Sequence, residues 1–176
     1  YFKMTLILLG PIILGSMSGY INTIVDRTIA SQLIEGSISA LSYAARIRQL
    51  VLGLFITSLI TVLYPMIAKI ASENKSIESI MKFGINIIIL ISIPATTVIM
   101  ILNYPLTMLI FQRDAFTLSD TIMTSSALFY YSIGIIGVGV TGLLSKVFFA
   151  THDTKTPMII SVVAVVINII LNLILT

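Results

Sequence analysis

The thirty residues from Phe83 to Gln112, FGINIIILISIPATTVIMILNYPLTMLIFQ, contain no charged side chain. A helix of about 20 apolar residues crosses the hydrocarbon core of a bilayer, so this run is longer than one simple span. Ile85–Ile93 lacks the apolar/polar alternation of a membrane β-strand. Pro94 is expected to kink the helix. Asn103-Tyr104-Pro105 is expected to end it, because the residue before a proline is pushed out of helical geometry. Leu106–Phe111 then reads as a short apolar helix near the membrane interface, over about 105–112.

Four more charge-free runs flank it: Met4–Val25, Gln49–Ala68, Thr121–Ser145 and Thr156–Thr176. Each is long enough to span once. Pro11 and the polar residues in the second half of Met4–Val25 make it a membrane helix rather than a signal peptide. The fold class expected is an all-α, polytopic transmembrane bundle of five spans, at about 4–26, 40–70, 79–103, 118–149 and 156–176. The chain starts without an initiator Met and stops inside an apolar run, so it reads as a fragment of a larger multi-spanning protein.

Composition agrees. Of the 176 residues, 57% are hydrophobic and 10% charged, with a mean hydropathy of +1.10. A soluble domain carries about 25% charged residues, so a water-soluble globule is excluded, as are disordered and collagen-like chains. The chain has no Cys, which removes disulfides, thiol chemistry and cysteine-ligated zinc. A net charge of +3, scattered along the chain, does not describe a nucleic-acid binder.

Charge placement orients the spans. Lys3, Lys69, Lys75, Lys82, Lys146 and Lys155 fall on one face of the membrane, and Arg27, Arg46, Arg48 and Arg113 on the other. The positive-inside rule places the lysine face, with loops 69–82 and 146–155, in the cytoplasm. Helix-start signals sit at the loops. Thr117-Leu118-Ser119-Asp120 resembles a capping box, Thr156-Pro157 puts a capping hydroxyl before a first-turn proline, and Ser76 with Glu78 is a weaker version.

Polar residues within the spans recur at helical spacing. Gly15, Ser18, Asn22 and Asp26 share a face, as do Arg46, Gln49, Gly53, Thr57 and Thr61. Ser126, Tyr130, Gly134, Gly137, Thr141 and Ser145 form a third line, and Ser161, Asn168 and Asn172 a fourth. Such lines are either helix-packing faces or cavity linings. Packing is the reading preferred for the third. Asp26, Arg27 and Arg46 are ionisable at helix ends. They mark either a site or snorkelling and paired ends, while Arg48 reads as an interfacial anchor. Gly137-Val138-Gly139-Val140-Thr141-Gly142 matches G-x-G-x-x-G but lies within a span, with no strand before it and no acid about 20 residues on. It is therefore not a dinucleotide site. His152 is the sole histidine, in a loop, and no paired carboxylates or metal spacing support an enzyme.

Gly10-Pro11-Ile12-Ile13-Leu14-Gly15-Ser16, Val25-Asp26-Arg27-Thr28-Ile29-Ala30-Ser31, Glu35 to Arg46, Leu109 to Thr117 and Asp153-Thr154-Lys155-Thr156-Pro157 occur in an order and spacing that resemble the MurJ/MviN family of lipid II flippases. That family lies within the multidrug/oligosaccharidyl-lipid/polysaccharide exporter superfamily. The resemblance covers nearly the whole chain. It implies two six-helix lobes about a central cavity plus a terminal helix pair, with this chain matching helices seven to eleven, most of the second lobe. It implies no enzyme activity, and transport of lipid II, the undecaprenyl-diphosphate-linked disaccharide-pentapeptide, from the cytoplasmic to the outer leaflet of the bacterial cytoplasmic membrane.

The family's cavity arginine falls on Arg46, whose guanidinium fork suits a diphosphate. Many members carry Asp before it, where this chain has Ala45. Arg27 and Asp26 are expected as secondary substrate-cavity or gate residues. Asp26, Asn168 and Asn172 would supply oxygens to a monovalent cation, or else form a hydrogen-bonded network. No cofactor or nucleic acid is expected, and the partners are the lipid substrate, membrane lipids and the remaining helices of the full-length chain. The alternatives are an exporter of another polyprenyl-diphosphate glycan such as O-antigen, and a non-transporting scaffold for cell-wall enzymes.

Overall fold

The structure is a computed structural model describing residues 13, 17, 19–32, 34–73 and 75–175. Lys3, Gly15, Ser18 and most of the first charge-free run lie outside the described residues. The described residues are all helix and turn. Three helices are long and apolar enough to cross a membrane: Ser37–Ser72, Glu78–Phe111 and Lys155–Ile174. A fourth span is the bent pair Leu118–Ile133 and Ile135–Ala150, which meet at 45°. The chain divides into two compact units, residues 36–147 and residues 1–35 with 148–176.

In the larger unit α1 (Ser37–Val51) runs through a π-helical turn, Leu52–Thr57, into α2 (Ser58–Ser72). The Ser58 hydroxyl donates to the Gly53 carbonyl five residues back at 3.2 Å, which suits the wider turn. Lys75 follows α2 in the connection to α3 (Glu78–Phe111), with Lys69 at the end of α2 and Lys82 at the start of α3. The helix breaks close to the boundary expected at Asn103-Tyr104-Pro105, and a second helical stretch follows. Leu102 leaves helical dihedrals (φ −100°, ψ 15°), and the helix then resumes to Phe111. Pro105 lacks the N–H that would bond back toward Ile101 and its ring crowds that carbonyl, which accounts for a kink between two helical stretches just ahead of it. Pro94 is carried within the helix, whose one residue outside helical dihedrals is Leu102.

The α4 helix (Leu118–Ile133) opens on the expected capping box. Asp120 N–H donates to Thr117 Oγ1 at 3.3 Å, and Thr117 N–H donates to Asp120 Oδ2 at 2.8 Å. The packed face of α4 is Thr121, Thr124, Ser125, Leu128 and Ser132, set against Ala40, Ala44 and Ile47 of α1 and Ser92, Thr96 and Thr107 of α3. Small residues let these helices approach closely, and Thr96 donates across to the Ser132 carbonyl at 3.2 Å. The line Ser126, Tyr130, Gly134, Gly137, Thr141, Ser145 is thus not the packing face. All but the half-buried Ser145 are exposed.

The α5 helix (Ile135–Ala150) packs through glycine. A Cβ on Gly139 would stand 2.9 Å from Ile88 Cγ2 and 3.2 Å from Ile56 Cγ2, which explains the glycine pattern without a nucleotide. In the smaller unit, residues 19–30 are helical, and α6 (Lys155–Leu175) follows the turn over 151–154. Its cap is Asp153 rather than Thr156. Asp153 Oδ1 accepts from the N–H groups of Lys155 and Thr156 at 3.1 and 3.0 Å, and Oδ2 from the Thr156 hydroxyl at 2.6 Å. A carboxylate takes both orphan donors at once, and Pro157 fits the first turn, where no donor is needed.

Candidate functional site

Arg46 is exposed on α1, in line with Gln49, Gly53, Thr57 and Thr61, all exposed. This polar stripe runs the length of α1 and α2 without cover from its own unit. The guanidinium carbon of Arg46 lies 5.4 Å from the centre of the Tyr43 ring, one turn earlier. Cation–π contact of this kind holds a guanidinium in place and leaves its N–H groups free for another partner. Tyr43 is in turn wedged by Phe111 at 4.7 Å and Phe116 at 5.2 Å. An apolar groove of about 450 Å³ opens beside Arg46, walled by Ile47, Leu50, Ile110 and Phe111. Among the described residues no carboxylate pairs with Arg46; the ion pairs there are Lys75–Glu73 and Lys82–Glu78, both at the surface. Arg46 therefore offers a fixed, unneutralised charge at the edge of an apolar groove.

Arg48 departs from the expected interfacial anchor. Its guanidinium carbon sits 4.7 Å from the centre of the Tyr131 ring of α4, and its Nε is buried with no hydrogen-bond partner. Two residues along a helix turn a side chain to the other side, so Arg46 faces the groove while Arg48 faces α4. The sequence separated the two roles but could not show that α4 covers the Arg48 face.

The smaller unit gathers the other expected residues. Asp26 Oδ2 accepts from Asn22 Nδ2 at 3.2 Å and Oδ1 from Asn172 Nδ2 at 3.0 Å. Asn172 also donates to Asn168 Oδ1 at 2.8 Å. Asp26, Asn168 and Asn172 are thus brought into one network across two helices. Asn22, which helical spacing had put on the Asp26 face, joins it and keeps its own amide oxygen buried without a partner. Arg27 is exposed, and among the described residues no ion pair joins it to Asp26. His152 lies in the exposed turn with φ 61°. No cluster of three or more His, Cys, Asp or Glu side chains suited to a metal occurs among the described residues.

A family model described as lipid II flippase MurJ matches residues 2–176. The chain is 37% identical over 175 residues to a probable lipid II flippase MurJ of Rickettsia prowazekii, covering 98% of this chain and 34% of that relative. It is 34% identical over 164 residues to the probable lipid II flippase MurJ of Vibrio cholerae, covering 92% and 31%. It is 35% identical over 161 residues to that of Helicobacter pylori strain J99, covering 88% and 34%. The chain spans about a third of the length of these curated relatives. No solved structure matches it. The match along nearly the whole chain shows that this chain belongs to the MurJ lipid II flippase family.

Proposed function

We propose that this chain is most of the second lobe of a flippase that carries lipid II from the cytoplasmic to the outer leaflet of a bacterial cytoplasmic membrane. Two lobes rock about a central cavity in alternating access, and no bond of the substrate is made or broken. Arg46 binds the diphosphate. The observation that carries this reading is the geometry of Arg46: stacked on Tyr43, unpaired with any carboxylate, and standing at the mouth of an apolar groove. A diphosphate leaving water needs a cation that stays charged in a partly dry site, and a guanidinium does so. The adjoining groove suits the first isoprene units.

The lysine turns at 69–82 and 146–155 face the cytoplasm in this reading. Asp26, with Asn168 and Asn172, holds a monovalent cation that couples to rocking. Oxygen donors suit a hard cation; the Asn22 oxygen has no partner, and a cation would displace the Asn172 amide that now donates to Asp26 and Asn168. Arg27, exposed beside Asp26, serves at a gate.

Complementation tests this reading. Cells depleted of their own flippase and given the full-length protein should grow with the unaltered protein, fail with Arg46→Ala, and recover in part with Arg46→Lys, which keeps charge without the fork. Normal growth with Arg46→Ala at matched protein level would remove Arg46 from the mechanism.

A further inference from the structure

The larger unit holds a second cavity, of about 480 Å³, beyond Tyr43 and away from the apolar groove. It lies at the end of the helices opposite the lysine turn, between the start of α1, the end of α3 and the start of α4. Its walls mix two chemistries. Tyr43, Phe111 and Phe116 supply aromatic surface; Ser39, Asp114 and Asp120 supply polar groups. Asp120 spends one carboxylate oxygen on Thr117 and keeps the other, Oδ1, toward Gly36. Asp114 sits in the left-handed region with φ 50°, which places a carboxylate at the rim. Thr124 is wholly buried in the wall, and its hydroxyl has no hydrogen-bond partner. A buried hydroxyl without a partner is costly unless something else fills it.

Phe111 is a shared wall, and Tyr43 links the pocket to Arg46. Arg46 stacks on the Tyr43 ring, and Phe111 lines both cavities. The order along α1 is therefore polar-aromatic pocket at Ser39–Tyr43, cation at Arg46, apolar groove at Ile47–Leu50. A polyprenyl-diphosphate glycan has the same order: sugar, diphosphate, hydrocarbon. In the outer leaflet such a lipid points its sugar outward and its chain to the midplane, and the pocket is on the outer side of Arg46 in the orientation proposed above.

We propose that this pocket binds the glycan of the lipid-linked substrate after it has crossed, as a release subsite. The inference rests on the flippase reading of Arg46. Sugars present C–H faces that pack on aromatic rings and hydroxyls that donate to carboxylates. The volume is in the range of small-ligand pockets. Two carboxylates, Asp114 and Asp120, against one cation, Arg113, suit an uncharged, hydroxyl-rich group better than an anion.

The test uses the full-length protein in detergent, with N,N′-diacetylchitobiose as glycan probe and inorganic diphosphate as probe of Arg46. The double variant Ser39→Ala with Asp114→Asn keeps the left-handed turn, which Asn tolerates. It should weaken disaccharide binding by about tenfold or more and leave diphosphate binding unchanged. Thr124→Val, of equal shape, should also weaken disaccharide binding without lowering the melting temperature. A merely structural threonine would instead leave binding alone. Absence of disaccharide binding, or binding equal in all three proteins, overturns the inference. Diphosphate binding that survives Arg46→Ala would sink the flippase reading of that residue, while the disaccharide arm still decides the pocket.

Discussion

Asp153 shows how one side chain sets a boundary between water and membrane. It lies in the turn over 151–154, outside the spans, and accepts three hydrogen bonds from the first residues of α6. The Thr156 hydroxyl first, then the Thr156 N–H, hold its carboxyl below the usual carboxylate value, with partial burial opposing. A carboxyl whose folded value is depressed stabilises the fold above the unfolded value, near pH 4, and loses that contribution as the pH falls through the folded value. Amide protection at Lys155 and Thr156 should therefore be constant from neutral pH down to about pH 4 and fall below it. Asp153→Asn should remove that pH dependence, and an unaltered acid-side loss in the variant would contradict the assignment. Thr156 had looked like the cap because a hydroxyl before proline is a common helix start. The stronger acceptor three residues earlier took the role. At Thr117 and Asp120 the capping box was readable from four letters. The exposed line of Arg46, Gln49, Gly53, Thr57 and Thr61 was readable from helical spacing. Arg48 was not, since only the position of Tyr131, 83 residues on, turns it inward.

Among the elements, α5 carries the sharpest contrast. Gly139 faces Ile88 and Ile56 closely, while a Cβ on Gly137 would meet nothing within 4 Å. Gly139→Ala should destabilise by about 1–3 kcal/mol through overpacking. Gly137→Ala should be neutral or stabilise by up to about 1 kcal/mol, as alanine is the better helix former. Thermal unfolding of the detergent-solubilised full-length protein measures both, and equal effects would show that the glycine line is not read face by face. The sequence placed these glycines on α5 but assigned packing to the face that stays exposed. Spacing identifies a face; it does not say which neighbour covers it. The π turn at Leu52–Thr57 was likewise hidden, because no proline or charge marks it, whereas the break at Leu102 falls one residue from the expected Asn103-Tyr104-Pro105 boundary.

At the scale of the molecule, the exposed apolar residues and the charge-free spans are one fact, since lipid rather than water covers them. The all-α membrane architecture was legible for that reason, and the family from motifs in order. The orientation has its own test. The chain has no Cys, so one thiol introduced into a full-length protein cleared of cysteines reports one position. An impermeant maleimide added to intact cells should label Ala115→Cys, and should reach Lys75→Cys only after permeabilisation. The reverse pattern would invert the orientation and place the polar-aromatic pocket in the cytoplasm.

The central claim is that Arg46 holds the diphosphate while lipid II crosses. The most direct measurement is the fraction of lipid II in the outer leaflet of cells that depend on the full-length protein, at matched protein level. Arg46→Ala should leave lipid II trapped in the cytoplasmic leaflet, with Arg46→Lys intermediate. Outer-leaflet lipid II at the unaltered level in the Arg46→Ala cells would contradict it.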